Sequence, residues 1–502
     1  MQPIAALLRV GNVAGIIDPS PTCLIACGSA SHHISFLHHD RVLRSFGTVV
    51  SRMLEYVSVS FVKSSIACVA IVSAMVLVIQ PASAETLYQA MAKAYENNPD
   101  LNAARAGLRA TDEGVAIAKS GYRPIIAAEA VTTSTNTNGF TSNSASIGVS
   151  INQTLFDGFQ TRNNVRAAEA QVFAGRENLR GTEIDILLAT VQAYANVNRD
   201  NQIVVYRKQN IAFLQEQFSA ARARFEVGES TRTDVSLSEA ELAGARASLT
   251  AAIAQAKSSA AVYAQIVGSV PKSLTAVALP RKLLPRTLEA AVTQGTSEHP
   301  TVLASLYGVD AAGFNVKSKE GTFLPGVKLS GSVAEGDEGV STAQIQAKVT
   351  IPLYQGGAAS ATVRQAKEQL GQQRILVDKA RRAIEQSVVS SWTQMEASLA
   401  TIEANKAQLS ASNLALNGVV EERRVGQRTT LDVLNAQQTV LTAKEAISQS
   451  ERNAIVASYS VIASTGKLTI DRLGLHVANY QPEIHYEATK DRWYGLRTVD
   501  GR

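Results

Sequence analysis

The 502-residue sequence predicts a mainly α protein with a β-barrel portion, built as two internal structural repeats. Three observations carry this. Two proline-free stretches, residues 159–226 and 358–425, keep helical spacing far beyond the length of a globular helix. Four shorter segments, two ahead of each long stretch, alternate apolar and polar residues. One tight-turn sequence also occurs twice. Val227-Gly228 through Asp234-Val235 returns as Val425-Gly426 through Asp432-Val433, an offset of 198 residues (425 − 227 and 432 − 234). The same offset relates Leu155-Phe156-Asp157-Gly158 to Leu353-Tyr354-Gln355-Gly356, and Gly268 to Gly466. Upstream it becomes 201, from Asn98-Pro99 to His299-Pro300 and from Pro124 to Pro325, so a three-residue slip lies between Pro124 and Leu155. A repeat of this size means two copies of one structural unit.

Composition sets the outer bounds. Aromatic residues make up 5% of the chain, few for a globular enzyme of this length, and Ala, Gln, Ser and Leu dominate. That suits long helices in narrow layers better than a thick core. The net charge of +5 is spread out, with no run of five like charges, so there is no nucleic-acid footprint. Cys23, Cys27 and Cys68 all precede Glu85. Ile66 to Ile79 is an apolar run with Lys63 before it and Pro81-Ala82-Ser83-Ala84 after it. This reads as a secretory signal cleaved after Ala84; an uncleaved anchor is the alternative, although the run is short for a membrane helix. A lipid-modified Cys68 would leave almost no apolar region in front of it. Residues 1–52 precede a second methionine, Met53, and read as an extension ahead of the true start. His32, His33, His38 and His39 look like a metal cluster, but they fall inside this extension.

Taken in order, Leu87 to Ser120 has Ala-rich helical spacing with Pro99 near a helix start, and Gly121-Tyr122-Arg123-Pro124 stops it. A strand follows to about Thr133, then a polar loop, Ser134 to Ser144, rich in turn formers. From Ser146 to Phe156, Ile147, Val149 and Ile151 face one way and Ser146, Gly148, Ser150 and Asn152 the other. Phe159 to Glu226 reads as one helix roughly 100 Å long at about 1.5 Å per residue, with Ile184, Leu187, Leu188, Val191 and Tyr194 at helical spacing. Val227-Gly228 breaks it, and a second helix runs from about Thr233 to Val267. A linker with three prolines spans 271–286. The order then repeats. A helix covers Thr287 to Glu320. A strand alternates Val327, Leu329 and Val333 with Lys328, Ser330 and Ser332. An acidic, Gly-rich loop covers Glu335 to Ser341. The next strand carries Ile345, Ala347, Val349, Ile351 and Leu353 on one face. A long helix covers Ala358 to Val425, where Val388, Trp392, Met395, Leu399 and Ile402 recur at coiled-coil spacing. The last helix runs from Leu431 to about Gly466. The divisions are therefore an N-terminal extension and signal peptide (1–84), a first repeat (85–270), the linker (271–286), a second repeat (287–469) and a partly ordered C-terminal tail (470–502).

The alternating segments are near the roughly 9–11 residues that cross a bilayer. Only a closed barrel satisfies strand backbones in lipid, and four strands cannot close where single-chain barrels need at least about eight. The barrel must then be shared between chains, with its aliphatic face to lipid and its Ser/Thr/Gln/Asn/Lys face to a wet lumen. A soluble antiparallel sheet lying on a helix is the alternative. Tyr122, Phe156, Phe323 and Tyr354 stand at the strand–helix junctions, where they read as membrane-interface aromatics or as plugs of a junction core. Gly228 and Gly426 mark the helix turns. Asp234 and Asp432 also read two ways. Carboxylates ringing a narrow pore select cations, and Asp is favoured near a helix start. No catalytic constellation, metal spacing or cofactor motif follows Glu85, and His299 before Pro300 reads as a helix-start residue.

The double V-G…D-V turn, the N-P and H-P helix starts, the Y-R-P and F-L-P helix exits and the L-F-D-G and L-Y-Q-G strand exits together resemble the TolC family of outer-membrane efflux and secretion channels. The resemblance runs from about Glu85 to about Thr469. It implies a homotrimer in which three chains of four strands form a 12-stranded transmembrane β-barrel, continued by a long-helix α-barrel into the periplasm of a Gram-negative bacterium. It implies a periplasmic adaptor protein, an inner-membrane efflux or ABC-type transporter and outer-membrane lipid as partners. It also implies a periplasmic gate at the two turns. Thr233, Asp234 and Arg428 match the inter-helix links and Asp432 one aspartate of the family's ring. Asn435 stands where the second aspartate would be and Arg423 at the aromatic link position. These departures suggest a latch based on charge, with Arg423 and Arg428 facing Asp234. The expected function is export of small toxic compounds, secreted polypeptides or both. A non-channel periplasmic coiled-coil scaffold is the rival reading. The signal reading makes a direct prediction: N-terminal sequencing of the mature protein begins at Glu85, and recovery of residues 1–52 in that protein would refute it.

Overall fold

The computed structural model describes residues 84–501; the signal sequence, Met53, the four clustered histidines and the three cysteines lie outside the described residues. The first copy contains α1 (Leu87–Asn97), α2 (Pro99–Lys119), β1 (Ile125–Thr137), β2 (Phe140–Phe156), α3 (Gln160–Glu226) and α4 (Arg232–Val267). The second contains α5 (Leu288–Glu298), α6 (Pro300–Glu320), β3 (Gly326–Gly336), β4 (Ser341–Thr350), α7 (Ala358–Arg424) and α8 (Thr430–Ser464). Two short helices follow, α9 (Ile470–Leu473) and α10 (Pro482–Thr489). The long helices α3 and α7 hold 67 residues each, and their first residues keep the repeat offset.

The helical patterns at 87–120 and 287–320 each prove to be two helices. The breaks fall at Asn98 and at its repeat counterpart His299, because a following proline disfavours helical backbone. Each breaking residue then caps the next helix. The Asn98 carboxamide oxygen accepts from the N–H groups of Asp100 and Leu101 at 2.9 and 3.2 Å. His299 Nδ1 accepts from the Thr301 N–H at 3.2 Å. Burial lowers the His299 pKa, which keeps the ring neutral and able to accept.

The four strands form one antiparallel sheet in the order β1-β2-β3-β4. The expected polar loop at Ser134–Ser144 is instead strand. β1 and β2 pair without interruption from Ile125↔Asn152 to Thr137↔Phe140. Only Asn138 and Gly139 turn the chain, with φ of 53° and 87°, the left-handed pair a type I′ turn requires. The three-residue slip between the copies therefore lies in the length of this first hairpin. The second hairpin closes through a short 3₁₀ turn, Asp337–Gly339. β4 stops at Thr350, ahead of Pro352, which cannot donate to a ladder, so Ile351 and Leu353 lie beyond it.

The register sorts the sheet into two faces. Pairs Ile126↔Ile151, Ala128↔Val149, Val149↔Val333, Gly331↔Ile345 and Val327↔Val349 run across all four strands on one side. Ala127↔Ser150, Ser150↔Ser332, Ser332↔Gln344 and Lys328↔Lys348 run across the other. Paired residues share a face and neighbours along a strand alternate, so the apolar face is continuous. Ile126, Ile147, Val149, Ile345 and Val349 are exposed on it.

The helices pack mainly through a core at the level of α1. Leu87, Met91 and Tyr95 meet Leu187, Val191 and Tyr194 of α3, Tyr263 of α4 and Tyr459 and Ile462 of α8. The linker is part of it, since Leu274, Val277, Leu279, Leu283 and Leu284 pack against this cluster. The Tyr194 hydroxyl lies 2.7 Å from the Glu85 carbonyl and 2.8 Å from that of Thr275. The tail is ordered as well. Tyr480 N–H donates to the Tyr95 hydroxyl at 3.2 Å, and His485 Nδ1 lies 2.8 Å from the buried Asp112 carboxylate.

The two faces predict opposite responses to charge. Ile147→Arg or Val349→Arg, on the apolar face, costs about 2–4 kcal/mol at the bilayer midplane. Ser150→Arg leaves assembly intact and changes conductance. Heat-stability of the detergent-solubilised protein and single-channel recording check both, and an equal response from the two faces would overturn the assignment.

Candidate functional site

The candidate site is the end of the molecule where the long helices turn. α3 stops at Val227, and Gly228 takes φ 82°; α7 stops at Val425, and Gly426 takes φ 80°. A Cβ on either glycine would meet open space, so glycine is needed there for its backbone conformation and not for room. The Glu229 N–H then closes back on the Arg224 carbonyl at 2.8 Å, and the Gln427 N–H on that of Glu422 at 2.9 Å. These bonds satisfy helix-end carbonyls.

Both departing helices start with the same device. Thr231 caps α4, and its hydroxyl accepts from the Asp234 N–H at 3.2 Å while Asp234 Oδ2 accepts from the Thr231 N–H at 3.2 Å. Thr429 and Asp432 repeat this in α8 at 3.2 and 2.9 Å. These are capping boxes with Asp in the third helical position. Hydrogen bonds hold both carboxyls below the ordinary aspartate value, from the Thr231 hydroxyl first for Asp234 and from the Thr429 backbone first for Asp432. The helix-start reading of these residues therefore stands in the geometry. It is compatible with a pore-facing charge, because Asp432 is only partly buried.

The two turns meet. Leu214 of α3, Leu242 of α4 and Leu434 of α8 form one small buried cluster just above them. Arg423 Nη1 reaches across from α7 to Gln217 Oε1 at 2.6 Å. Burial lowers the Arg423 pKa, as does Arg224, against the pull of Asp234. Arg428 does not reach Asp234 within the chain. Its Nε lies 2.8 Å from Glu422 Oε2, on the other limb of its own turn. Within one chain Arg423 thus pairs with Gln217, Arg428 with Glu422, and Asp234 with its own cap residues. Thr233 and Asn435 are exposed beside the caps. Gln217 and Glu422 were missed from sequence because they lie inside the helix ends, away from the repeated turn. The cap residues themselves, Thr231 and Thr429, were missed too, although a Thr three residues ahead of each Asp is the signal that marks them.

At the opposite end of the long helices, Tyr122, Phe323 and Tyr354 are exposed at the strand–helix junctions, while Phe156 stacks edge-on against Phe159 at 5.1 Å. Gly158 lets the backbones of the two junctions touch, since a Cβ there would sit 2.2 Å from the Gly321 carbonyl oxygen. Among the described residues no group of three His, Cys, Asp or Glu is placed to hold a metal ion. No described helix is long and apolar enough to cross a membrane.

Two hairpins forming one sheet with an apolar face, continued by paired helices of 67 residues, define an outer-membrane channel fold. The chain belongs to the outer membrane efflux protein family, whose profile matches residues 90–269 and 292–467, one match per repeat. It is 48% identical over 455 residues to the outer membrane efflux protein BepC of Brucella suis, covering 88% of this chain and 98% of that one. It is 24% identical to the outer membrane protein TolC of Escherichia coli K12 (80% and 86% covered). It is 26% identical to the alkaline protease secretion protein AprF of Pseudomonas aeruginosa (66% and 72% covered). Among solved structures, the CmeC outer membrane channel of Campylobacter jejuni superposes with a TM-score of 0.69 at 16% identity, covering 80% of this chain and 89% of that one. The protein is thus an outer-membrane protein whose helices extend into the periplasm.

The caps predict a pH response. An aspartate with a lowered pKa contributes stability that is fully present above its unfolded value and is lost as pH falls through the folded value. The α4 and α8 starts therefore fray only below the ordinary aspartate pKa of 3.8. Amide exchange at residues 230–235 and 428–433, corrected for intrinsic rates, rises below that pH. Thr231→Ala and Thr429→Ala, each costing about 0.5–2 kcal/mol, bring the same fraying to neutral pH. Exchange in the variants equal to wild type would remove the caps' role.

Proposed function

We propose that three copies of this chain form a channel-tunnel through the outer membrane, exporting small toxic compounds, secreted polypeptides or both. It performs no chemistry, and an inner-membrane efflux or ABC-type transporter, joined through a periplasmic adaptor, supplies the energy. The observation that carries this reading is the sheet: four strands, one continuous apolar face, and β1 and β4 as its two edges. Open edges are not tolerated in lipid, and three such sheets close a 12-stranded barrel. The names of the relatives cover both cargo classes, efflux for BepC and protease secretion for AprF. The scaffold reading leaves the apolar face without a function. Cross-linking and mass measurement in detergent should give three protomers, and a stable monomer of the mature chain would sink the shared barrel.

The gate is proposed at the two turns, with Thr233, Asp234, Arg423, Arg428, Asp432 and Asn435. One exposed ion pair contributes only about 0–1 kcal/mol, so a closed mouth relies on threefold symmetry to multiply Arg423 and Arg428. Arg423→Ala with Arg428→Ala should loosen the mouth while the trimer stays folded, raising single-channel conductance and admitting bulky antibiotics to cells. Asp432→Ala should remove block by multivalent cations and Asn435→Asp should strengthen it. Unchanged conductance together with block insensitive to both positions would place the gate elsewhere.

A further inference from the structure

The C-terminal tail lies beyond the second family match, which ends at residue 467, and the exporter reading gives it no task. The structure ties it to α2 and α3 and carries it to the base of the sheet. Arg176 pairs with Glu483 at 3.1 Å and Lys119 with Asp491 at 2.5 Å. Arg123 Nη1 donates to the Arg492 carbonyl at 2.7 Å, and its guanidinium lies 5.0 Å from the centre of the Trp493 ring. Arg123 stands two residues before β1, roughly 7 Å from it at about 3.3 Å per residue. Trp493 is therefore held where the strands leave the helices, at the level of Tyr122. Having reached that level, the chain turns its apolar groups outward: Trp493 is 67% exposed, Tyr494 90% and Leu496 104%. Arg492 and Arg497 flank them.

We propose that residues 493–497 insert at the surface of the periplasmic leaflet of the outer membrane, as an interfacial anchor added to each barrel wall. Lipid fits better than a protein partner for three reasons. The segment is continuous with the rim of the membrane-facing sheet, where Ile126 and Ile151 begin the apolar face. Trp and Tyr favour the boundary between headgroups and chains, each presenting an apolar ring and a polar edge. The flanking arginines suit anionic phospholipid headgroups. The salt bridges of α10 then pass this hold to α2 and α3, fixing the height of the helices relative to the membrane.

The chain has two tryptophans, Trp392 and Trp493, and Trp392 sits on α7 with its Nε1–H donating to Glu396 at 2.9 Å. In full-length Trp392→Phe protein, reconstituted in phosphatidylethanolamine–phosphatidylglycerol vesicles, Trp493 is the sole reporter. Its emission should be blue-shifted from the value in water and should lose intensity when the lipids carry bromine high on their acyl chains. If Trp392→Phe does not fold, the difference between wild type and Trp493→Phe carries the same signal. Emission as in water overturns the proposal, because the segment is then solvated. Blue-shifted emission that brominated lipid does not quench also overturns it, because a neighbouring protomer then covers the ring.

Discussion

A sheet that is apolar on one side and unpaired at both edges has no stable home as a single copy in lipid. Each unpaired N–H or C=O in the hydrocarbon costs several kcal/mol, since no water is there to replace the missing partner. β1 and β4 each present such a row. The same sheet in water would expose Ile126, Ile147, Val149, Ile345 and Val349 together, an apolar patch of the kind that soluble surfaces avoid. Both difficulties vanish only when edges of different chains join. The repeat architecture follows from this. One hairpin per copy sets the strand count, and the junction at Gly158 and Gly321 makes the two hairpins neighbours.

The long helices face a different problem. A helix of 67 residues offers far more surface than one chain can cover; α7 shows few buried residues along its length, and α3 only Asn210, Leu214 and Ala221 beyond Asp200. Stability is concentrated where a third layer exists. The main core lies where α1, the linker and α9 wrap α3, α4 and α8, and it holds Tyr95, Tyr194, Tyr263 and Tyr459, all nearly inaccessible. Burial pushes the phenol pKa values of Tyr194, Tyr263 and Tyr459 upward, so these groups stay neutral. Below that belt the hairpins rely on small clusters such as Leu214–Leu242–Leu434 and on their caps. An end with little buried surface is the part of a structure that opens at low cost, which suits the gate proposed there.

Much of this was legible in the sequence because the informative signals were long or repeated. The 67-residue helices showed in the absence of proline, and Val388, Trp392, Met395, Leu399 and Ile402 marked the packed face of α7. Where local signals compete, composition misleads. Ser134–Ser144 is polar enough to be a loop, yet cross-strand pairing overrides composition, and the Asn138-Gly139 dipeptide was the better guide. Asn98 and His299 read as helix starts, and the same prolines also end the helices before them. The Arg428–Glu422 pair depends on how the turn folds back on its own helix, which periodicity does not encode. The tail has no repeat partner to announce it, and its order rests on contacts with α2 and α3 more than 300 residues away.

At the turns one residue carries both a helix cap and the proposed gate charge, and the chemistry allows the two to be separated. Asp432 completes a capping box through Oδ2, which takes both the N–H and the hydroxyl of Thr429. Alanine there would remove the negative charge and the carboxylate half of the capping box together, so a change in conductance could arise from a frayed helix. Asparagine keeps an acceptor oxygen for Thr429 and removes only the charge. If Asp432→Asn channels lose cation block while the exchange of residues 428–433 stays slow, the charge itself acts in the pore. If block survives until the cap is broken, the aspartate is structural and Arg423, which reaches across the helices to Gln217, becomes the stronger candidate for the closing contact.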